Sequence, residues 1–333
     1  MESIEDRKKF CEIQKQKKLH IYDKAWKEAL DQIKINIDYL NKQFPLADPK
    51  IIIGMVLDKI NFDEYEGFIP AWITDHFVID YDNRFNPTLF PYRLNVLNGK
   101  YVSVPIQLPN LLLFEIISKY IDPEVDCLVE FGSGLGINLI KMFLRSPNAN
   151  LCYVACEPSE NGLITTQKLF SIVPNINLEI QYFDFNQNNL DFLKKFRKIV
   201  GFTCHAIEQV TILGDTFYNQ LFDTNIHAFI HCEPIGWQRL KICDLLPNIY
   251  STKSENKFKF IVDDDYVLSN AAVWASASEY NMDLLAQIFN FEKRGEIEIT
   301  DIYYDFVGTN PFNPASLISW IPKNRNLKFV SKI

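Results

Sequence analysis

Val129-Glu130-Phe131-Gly132-Ser133-Gly134-Leu135-Gly136-Ile137 decides how this chain is read. A short apolar run ends in an acidic residue and passes straight into three alternating glycines. A helical pattern, Ile137-Asn138-Leu139-Ile140-Lys141-Met142, follows at once. A glycine turn between strand and helix lets backbone approach a ligand closely, and the helix N-terminus adds partial positive charge. The spacing of the glycines selects the ligand. A dinucleotide fingerprint reads GxGxxG. Here the third glycine comes one residue early and Ile137 holds the sixth position, so the string reads ExGxGxG from Glu130.

Outward from this loop, strands alternate with helices. Cys127 to Phe131, Leu151 to Cys156, Leu178 to Phe183, Ile199 to Cys204 and Ile226 to Cys232 read as strands one to five, with helices such as Gly162 to Ile172 between them. That alternation implies parallel strands covered by helices on both faces. Ligands in such sheets sit outside the carboxyl ends of the strands, where strand order reverses. Ser269 to Phe289 reads as a last helix, and Gly295 to Phe306 and Ala315 to Ile321 as two closing strands. Residues 234–268 form an insertion after strand five, a lid or acceptor-binding element, since loops of this length are often functional. Residues 1–120 read as an N-terminal mixed, mainly helical cap region. Within it, Trp26, Leu30, Ile33, Ile37 and Leu40 recur at helical spacing, as in ordinary core packing. Asn83 to Val104 reads as loop with short strands, and Leu108 to Tyr120 as a helix.

The ExGxGxG string, with a last helix and two adjacent closing strands, resembles the class I S-adenosylmethionine-dependent methyltransferases over about residues 121–333. The resemblance implies an α/β fold: a doubly wound, mostly parallel seven-stranded sheet that binds S-adenosyl-L-methionine. In that family the glycine loop wraps the cofactor's methionine end and the acidic residue lies near its ammonium. This assigns Glu130, Gly132, Ser133, Gly134 and Gly136 to the cofactor. A sulfonium ligand suits an acidic rim, and a pyrophosphate does not. Glu157, at the end of strand two, stands about where nucleotide-binding folds place the acceptor for ribose hydroxyls; a strand-end cap is the plainer reading. Asp184 and Phe185 after strand three match the family's acidic residue facing the adenine amino group and the apolar neighbour under its ring.

Strand four runs into Thr203-Cys204-His205-Ala206-Ile207-Glu208-Gln209-Val210, and strand five into His231-Cys232-Glu233-Pro234-Ile235-Gly236-Trp237. The first segment resembles the one that lies beside the transferred methyl group in small-molecule methyltransferases. His205 and Glu208 are three apart, so a helical turn brings them onto one face. Methyl transfer from an activated sulfonium asks mainly for in-line positioning. A hydroxyl acceptor also needs a general base, and histidine suits neutral pH. The expectation is O-methylation of a small molecule or sugar, with His205, Glu208, His231 and Glu233 as catalytic residues converging on one cleft. The alternatives are an N-methyltransferase acting on a small amine or a protein, and a methyltransferase-like module that holds cofactor without turnover. A divalent metal on Glu208, Glu233 and a histidine is a further reading, but the spacing is not a metal signature and no metal is expected. Trp237, Trp274, Tyr280 and Asn281 are candidates for an acceptor pocket, with core packing as the alternative. Asp263-Asp264-Asp265 reads as a solvated loop and helix cap.

The bulk properties agree with this. The 333 residues suffice for one elaborated domain or two, and the composition, 47% hydrophobic and 23% charged, is globular. A net charge of −8 argues against a non-specific nucleic-acid binder, which normally shows a basic face, and leaves room for a small local basic patch. The N-terminus is charged from Glu2 to Lys9, and no apolar stretch is long enough to span a bilayer, so a cytoplasmic protein without a membrane span is expected. Seven cysteines, without a CxxC pair and mostly inside apolar runs, behave as small hydrophobes rather than as a metal or disulfide framework. The expected partners are a small-molecule or carbohydrate acceptor and, as a homodimer, a second copy of the chain.

Overall fold

The structure, a computed structural model, describes residues 4–57, 77–80, 92–105, 108–148, 150–173, 175–186, 189–240, 258–307 and 311–323. Its centre is a set of apolar strands: β4 (Cys127–Phe131), β5 (Cys152–Glu157), β6 (Asn177–Tyr182), β7 (Ile199–Cys204) and β8 (Ile226–Glu233). They pair in parallel in the order β6-β5-β4-β7-β8. Every residue of β4 and β5 is buried. Continuous apolar runs of this kind belong to parallel strands covered on both faces.

Two faces of side chains follow from strand alternation. On one, Leu128 and Tyr153 pack against Ile140 of α3 (Ile137–Arg145) and Leu169 of α4 (Glu160–Phe170). The same cluster takes Ile33, Ile37 and Leu40 from the long α1 (Ile4–Gln43) and Phe114 and Ile117 from α2 (Leu108–Ser118). On the other face, Val129, Phe131 and Phe229 pack against Phe217 of α5 (Thr216–Phe222), Ile288 and Phe291 of the last helix, and Trp320. Phe229 and Trp320 stack with ring centroids 5.4 Å apart.

The sheet closes with β10 (Ile297–Val307) and β11 (Ala315–Pro322). β11 enters between β8 and β10 and is antiparallel to both. The seven strands from β4 to β8 with β10 and β11 are the arrangement that the class I methyltransferase resemblance implies. The sheet is nine-stranded, however, not seven. A hairpin of β2 (Tyr92–Leu97) and β3 (Lys100–Pro105) turns at Asn98-Gly99 and extends the β10 edge. A separate parallel pair joins β1 (Phe77–Asp80) to β9 (Phe258–Ile261), so the N-terminal region and the segment after β8 share a small sheet. Residues 241–257 of the expected insertion, and 83–91 of the expected loop, lie outside the described residues.

The expected single helix over Ser269 to Phe289 is two: α6 (Val267–Ala277) and α7 (Leu284–Lys293). Glu279 takes a left-handed φ of 53°, which ends the first. Asn281 Oδ1 then accepts from Asp283 N and Leu284 N at 3.0 and 2.7 Å and starts the second. Among the described residues no helix is long and apolar enough to cross a membrane.

Candidate functional site

The chain winds outward from β4 to β6, then returns to β7 on the other side of β4. The connections after β4 and β7 therefore part in opposite directions and leave a crevice at the carboxyl edge. A cleft opens there, with Gly132 and Gly134 as its floor. Glu157, Asp184 and Phe185 stand on one side, and His205 and Gln209 on the other.

The glycine loop is shaped by lack of room. Gly132 has φ 74°, and a Cβ there would collide with Ala206 Cβ. Gly136 has φ 70°, and a Cβ there would lie 2.6 Å from Thr166 Cγ2 of α4. A side chain at either position meets both a steric clash and an unfavourable backbone. Four of the loop's N–H groups are spent within the protein. Gly132 N and Ser133 N donate to Cys156 O at 2.7 and 2.9 Å, and Gly136 N donates to Ser133 O at 2.8 Å. Gly134 N donates to Glu157 Oε2 at 2.9 Å. A loop that cradles phosphate turns such donors toward its ligand; this one turns them back on β5.

Glu157 also accepts from Ser159 N at 3.1 Å through Oε1. Burial pushes its carboxyl up to about 7, against the pull of those two N–H groups. Each oxygen still has acceptor capacity for a ligand hydroxyl. Asp184 is buried, and its Oδ1 accepts from Asn186 N at 2.9 Å. Phe185 is held by the rings of Phe183 and Phe217 at 5.0 and 5.2 Å and gives the cleft a flat apolar wall. Glu130, by contrast, lies beneath the loop and off the cleft wall. Its Oε1 accepts from Asn138 Nδ2 at 2.7 Å, and burial pushes its carboxyl up to about 8. Among the described residues neither Glu130 Oε2 nor Ser133 Oγ finds a hydrogen-bond partner.

At the other end, His205 follows β7 with a φ of 53°, a conformation a non-glycine residue holds only when its surroundings impose it. Its N–H donates to Cys232 O at 3.0 Å. Its Nδ1 lies 3.3 Å from Glu208 Oε2, and its side chain is 20% exposed to the cleft. Burial works against the imidazolium, but the Glu208 carboxylate outweighs it and the ring rises to about 10. Glu233 is wholly buried at the end of β8. Its carboxylate accepts from Ala206 N, Ile207 N and Glu208 N at 3.1, 3.4 and 3.2 Å. It fixes the 3-10 turn Ile207–Gln209 that carries Glu208. His231 does not reach the cleft. It lies at 0% exposure, takes a hydrogen bond from Trp320 Nε1 at 3.2 Å, and sits 4.7 Å from the Phe229 ring. Burial lowers it to about 3, so it is neutral. The two His/Glu pairs thus occupy neighbouring strand ends, with only His205 open to the cleft.

The remaining wall comes from α1, where Lys18, Tyr22 and Trp26 are spaced four apart and face the cleft. Trp26 was expected in the core, yet it covers the loop. A Cβ on Gly134 would lie 3.2 Å from Trp26 Cζ2. The aliphatic core stripe begins only at Leu30. Polar bonds strap α1 across both lips. Asp23 accepts from Ser159 Oγ, Asn161 N and Asn161 Nδ2 at 2.7, 3.1 and 2.8 Å. Lys18 Nζ donates to Gln209 O and Glu279 O at 3.2 and 2.9 Å. The signal in the sequence was a cation and two aromatics four residues apart, ahead of the aliphatic stripe. Of the other candidates, Trp237 and Trp274 are core residues, Tyr280 packs its ring under Lys18 at 5.7 Å, and Asn281 Nδ2 donates to Val210 O at 3.0 Å. Asp263 caps a short turn, accepting from Asp265 N at 3.0 Å.

The winding and the crevice define a doubly wound α/β ligand-binding fold. The antiparallel β10–β11 close makes it the class I methyltransferase fold. No family model matches the chain, and no curated protein matches its sequence. Solved structures do resemble it. The plantazolicin methyltransferase BpumL, in complex with a pentazolic desmethylPZN analog and SAH, aligns over 90% of this chain and 100% of its own, at 10% identity and a TM-score of 0.39. The pyocyanin biosynthetic protein PhzM aligns over 66% of this chain and 56% of its own, at 12% identity and 0.40. The N-terminal domain of EvdMO1 with SAH bound aligns over 66% and 82%, at 11% identity and 0.37. The fold rests on this chain's own strand order.

Glu130 makes stability depend on pH. In the unfolded chain it ionises near 4.5, and in the folded protein near 8. Between those values the folded state holds the extra proton, so stability falls as pH rises, by at most about 1.4 kcal/mol per unit. Urea unfolding from pH 5 to 8 should show a shallower decline for Glu130→Gln than for the wild type. Equal slopes would contradict the buried, neutral carboxyl.

Proposed function

We propose that this chain is an enzyme, an S-adenosyl-L-methionine-dependent methyltransferase that methylates a hydroxyl of a small molecule or sugar. One observation carries the cofactor reading. The glycine loop turns its N–H groups onto β5 and presents the Glu157 carboxylate where a pyrophosphate-binding loop presents donors. That chemistry suits a cationic ligand with ribose hydroxyls and disfavours a nicotinamide dinucleotide. The donor set fits: Glu157 would accept from the ribose, Asp184 would take the adenine amino group, and Phe185 would supply the apolar face for the ring. S-adenosyl-L-methionine supplies an activated methyl group on a sulfonium.

The rest falls to the chain. Tyr22 and Trp26 roof the cleft and exclude water, which strengthens every electrostatic contact inside. The roof also favours a small acceptor over a protein surface. His205, its Nδ1 turned to Glu208, offers its other ring nitrogen as the base for an acceptor hydroxyl. The Glu208 pairing holds His205 as imidazolium at neutral pH, so the ring must lose that proton to act. A cation bound in the cleft opposes a second positive charge and favours the loss. Glu233 positions this pair through its three N–H bonds and touches no ligand itself. His231 has no part in the reading, because its ring is enclosed by Phe229 and Trp320.

Calorimetric titration with S-adenosylhomocysteine, with NADH as control, tests the cofactor. Micromolar binding of the first alone is expected, weakened at least about tenfold by Glu157→Ala, since hydrogen bonds to a charged group are worth roughly 1.5–3 kcal/mol. Binding of NADH alone would overturn the reading.

Methyl transfer to a panel of hydroxylated acceptors tests the base. Turnover should rise with pH from neutral toward about 10 as His205 deprotonates, and His205→Ala should lower it by roughly 10² to 10⁴. A flat profile with undiminished His205→Ala turnover would contradict base catalysis.

A further inference from the structure

We propose that Lys18 makes α1 the carrier of an anion subsite, which binds a carboxylate or phosphate group at the β7 end of the cleft. The identity of the cleft's main ligand is taken from the reading above.

The cleft is bipolar. Its carboxylates, Glu157 and Asp184, stand after β5 and β6, and Lys18 and His205 stand at the β7 end. The two cations differ. His205 is matched by Glu208 at 3.3 Å. Among the described residues the groups that hold Lys18 Nζ are neutral: the carbonyls of Gln209 and Glu279 and the Tyr280 ring. Among the described residues no carboxylate forms an ion pair with it. An ammonium has three donors, so one donor remains for a ligand, and no carboxylate among the described residues contacts the charge directly. Two carbonyl bonds on different elements also fix its position, which a flexible surface lysine lacks. Holding α1 down needs donors but not a charge, and a half-buried charge is unfavourable unless something answers it. Burial has drawn this ammonium down to about 8 in spite of Glu279 and Glu208. An anion in the cleft would supply the missing partner. Two sources share that chemistry: the amino-acid carboxylate of the cofactor, and an acidic group on the methyl acceptor.

Calorimetry on the full chain separates them, with wild type, Lys18→Met and Lys18→Gln. The probes are S-adenosylhomocysteine, methylthioadenosine (the same nucleoside without the amino-acid tail), and inorganic phosphate added to protein saturated with S-adenosylhomocysteine. If the cofactor supplies the anion, both variants lose at least about tenfold in affinity for S-adenosylhomocysteine and bind methylthioadenosine as the wild type does. If the acceptor supplies it, both nucleosides bind unchanged and the wild type's phosphate binding is lost in the variants. Unchanged methylthioadenosine binding also shows that the variants are folded. The proposal is overturned if neither S-adenosylhomocysteine nor phosphate responds to the substitutions. It is overturned as well if methylthioadenosine weakens equally, because Lys18 then acts only as a strap. Should neither nucleoside bind the wild type, the cofactor reading fails by itself. Phosphate titrated into the free protein then decides: Lys18-dependent binding supports the subsite, and its absence overturns it.

Discussion

Lack of space around the turn after β4 governs the site. Gly132 is pressed against Ala206 after β7 and Gly136 against Thr166 of α4, so that neither position has room for a side chain of its own. At such distances the loop's donors are taken up close by, two by the Cys156 carbonyl and one by the Glu157 side chain. The electrostatic character of the cleft follows. A loop with four N–H groups already spent disfavours a pyrophosphate, and the carboxylate it fixes invites hydroxyl donors and positive charge.

The other half of the cleft is built by strapping. Nothing in the doubly wound sheet itself closes the carboxyl edge. Here α1 does so, held to the start of α4 by Asp23 and to the turn after β7 by Lys18. The same helix continues as Ile33, Ile37 and Leu40 into the core of one face. Roof and core are one rigid element, so packing beneath the sheet sets the height of Tyr22 and Trp26 above the glycines. On the β7 side, Glu233 performs the matching task by gathering three N–H groups of the turn that carries Glu208.

Much of this was legible in the residues. The five parallel strands stand within a residue or two of their expected bounds, because apolar β-branched runs stopped by glycine or polar residues have few other solutions. That Glu157, Asp184 and Phe185 line the cleft was legible because the fold puts strand ends at its carboxyl edge. What escaped has physical causes. A stripe such as Trp26, Leu30 and Ile33 looks the same whether it faces a core or a cleft. His231 alternates correctly along β8, but alternation cannot say whether a ring at the strand end is enclosed by a neighbour such as Trp320. The short strands expected within Asn83 to Val104 form a hairpin at Asn98-Gly99, a turn signal, but nothing in the residues shows that the pair joins the main sheet at β10. The break before α7 lay in Asn281 as a cap, with no glycine or proline to mark it.

The crystal structure of the complex with S-adenosylhomocysteine tests the central claim most directly. The account predicts the nucleoside between Gly132–Gly134 and Trp26, its ribose hydroxyls on Glu157 and its adenine against Phe185, with α1 still strapped by Asp23. A ligand bound elsewhere, or one whose hydroxyls leave Glu157 untouched, would contradict it.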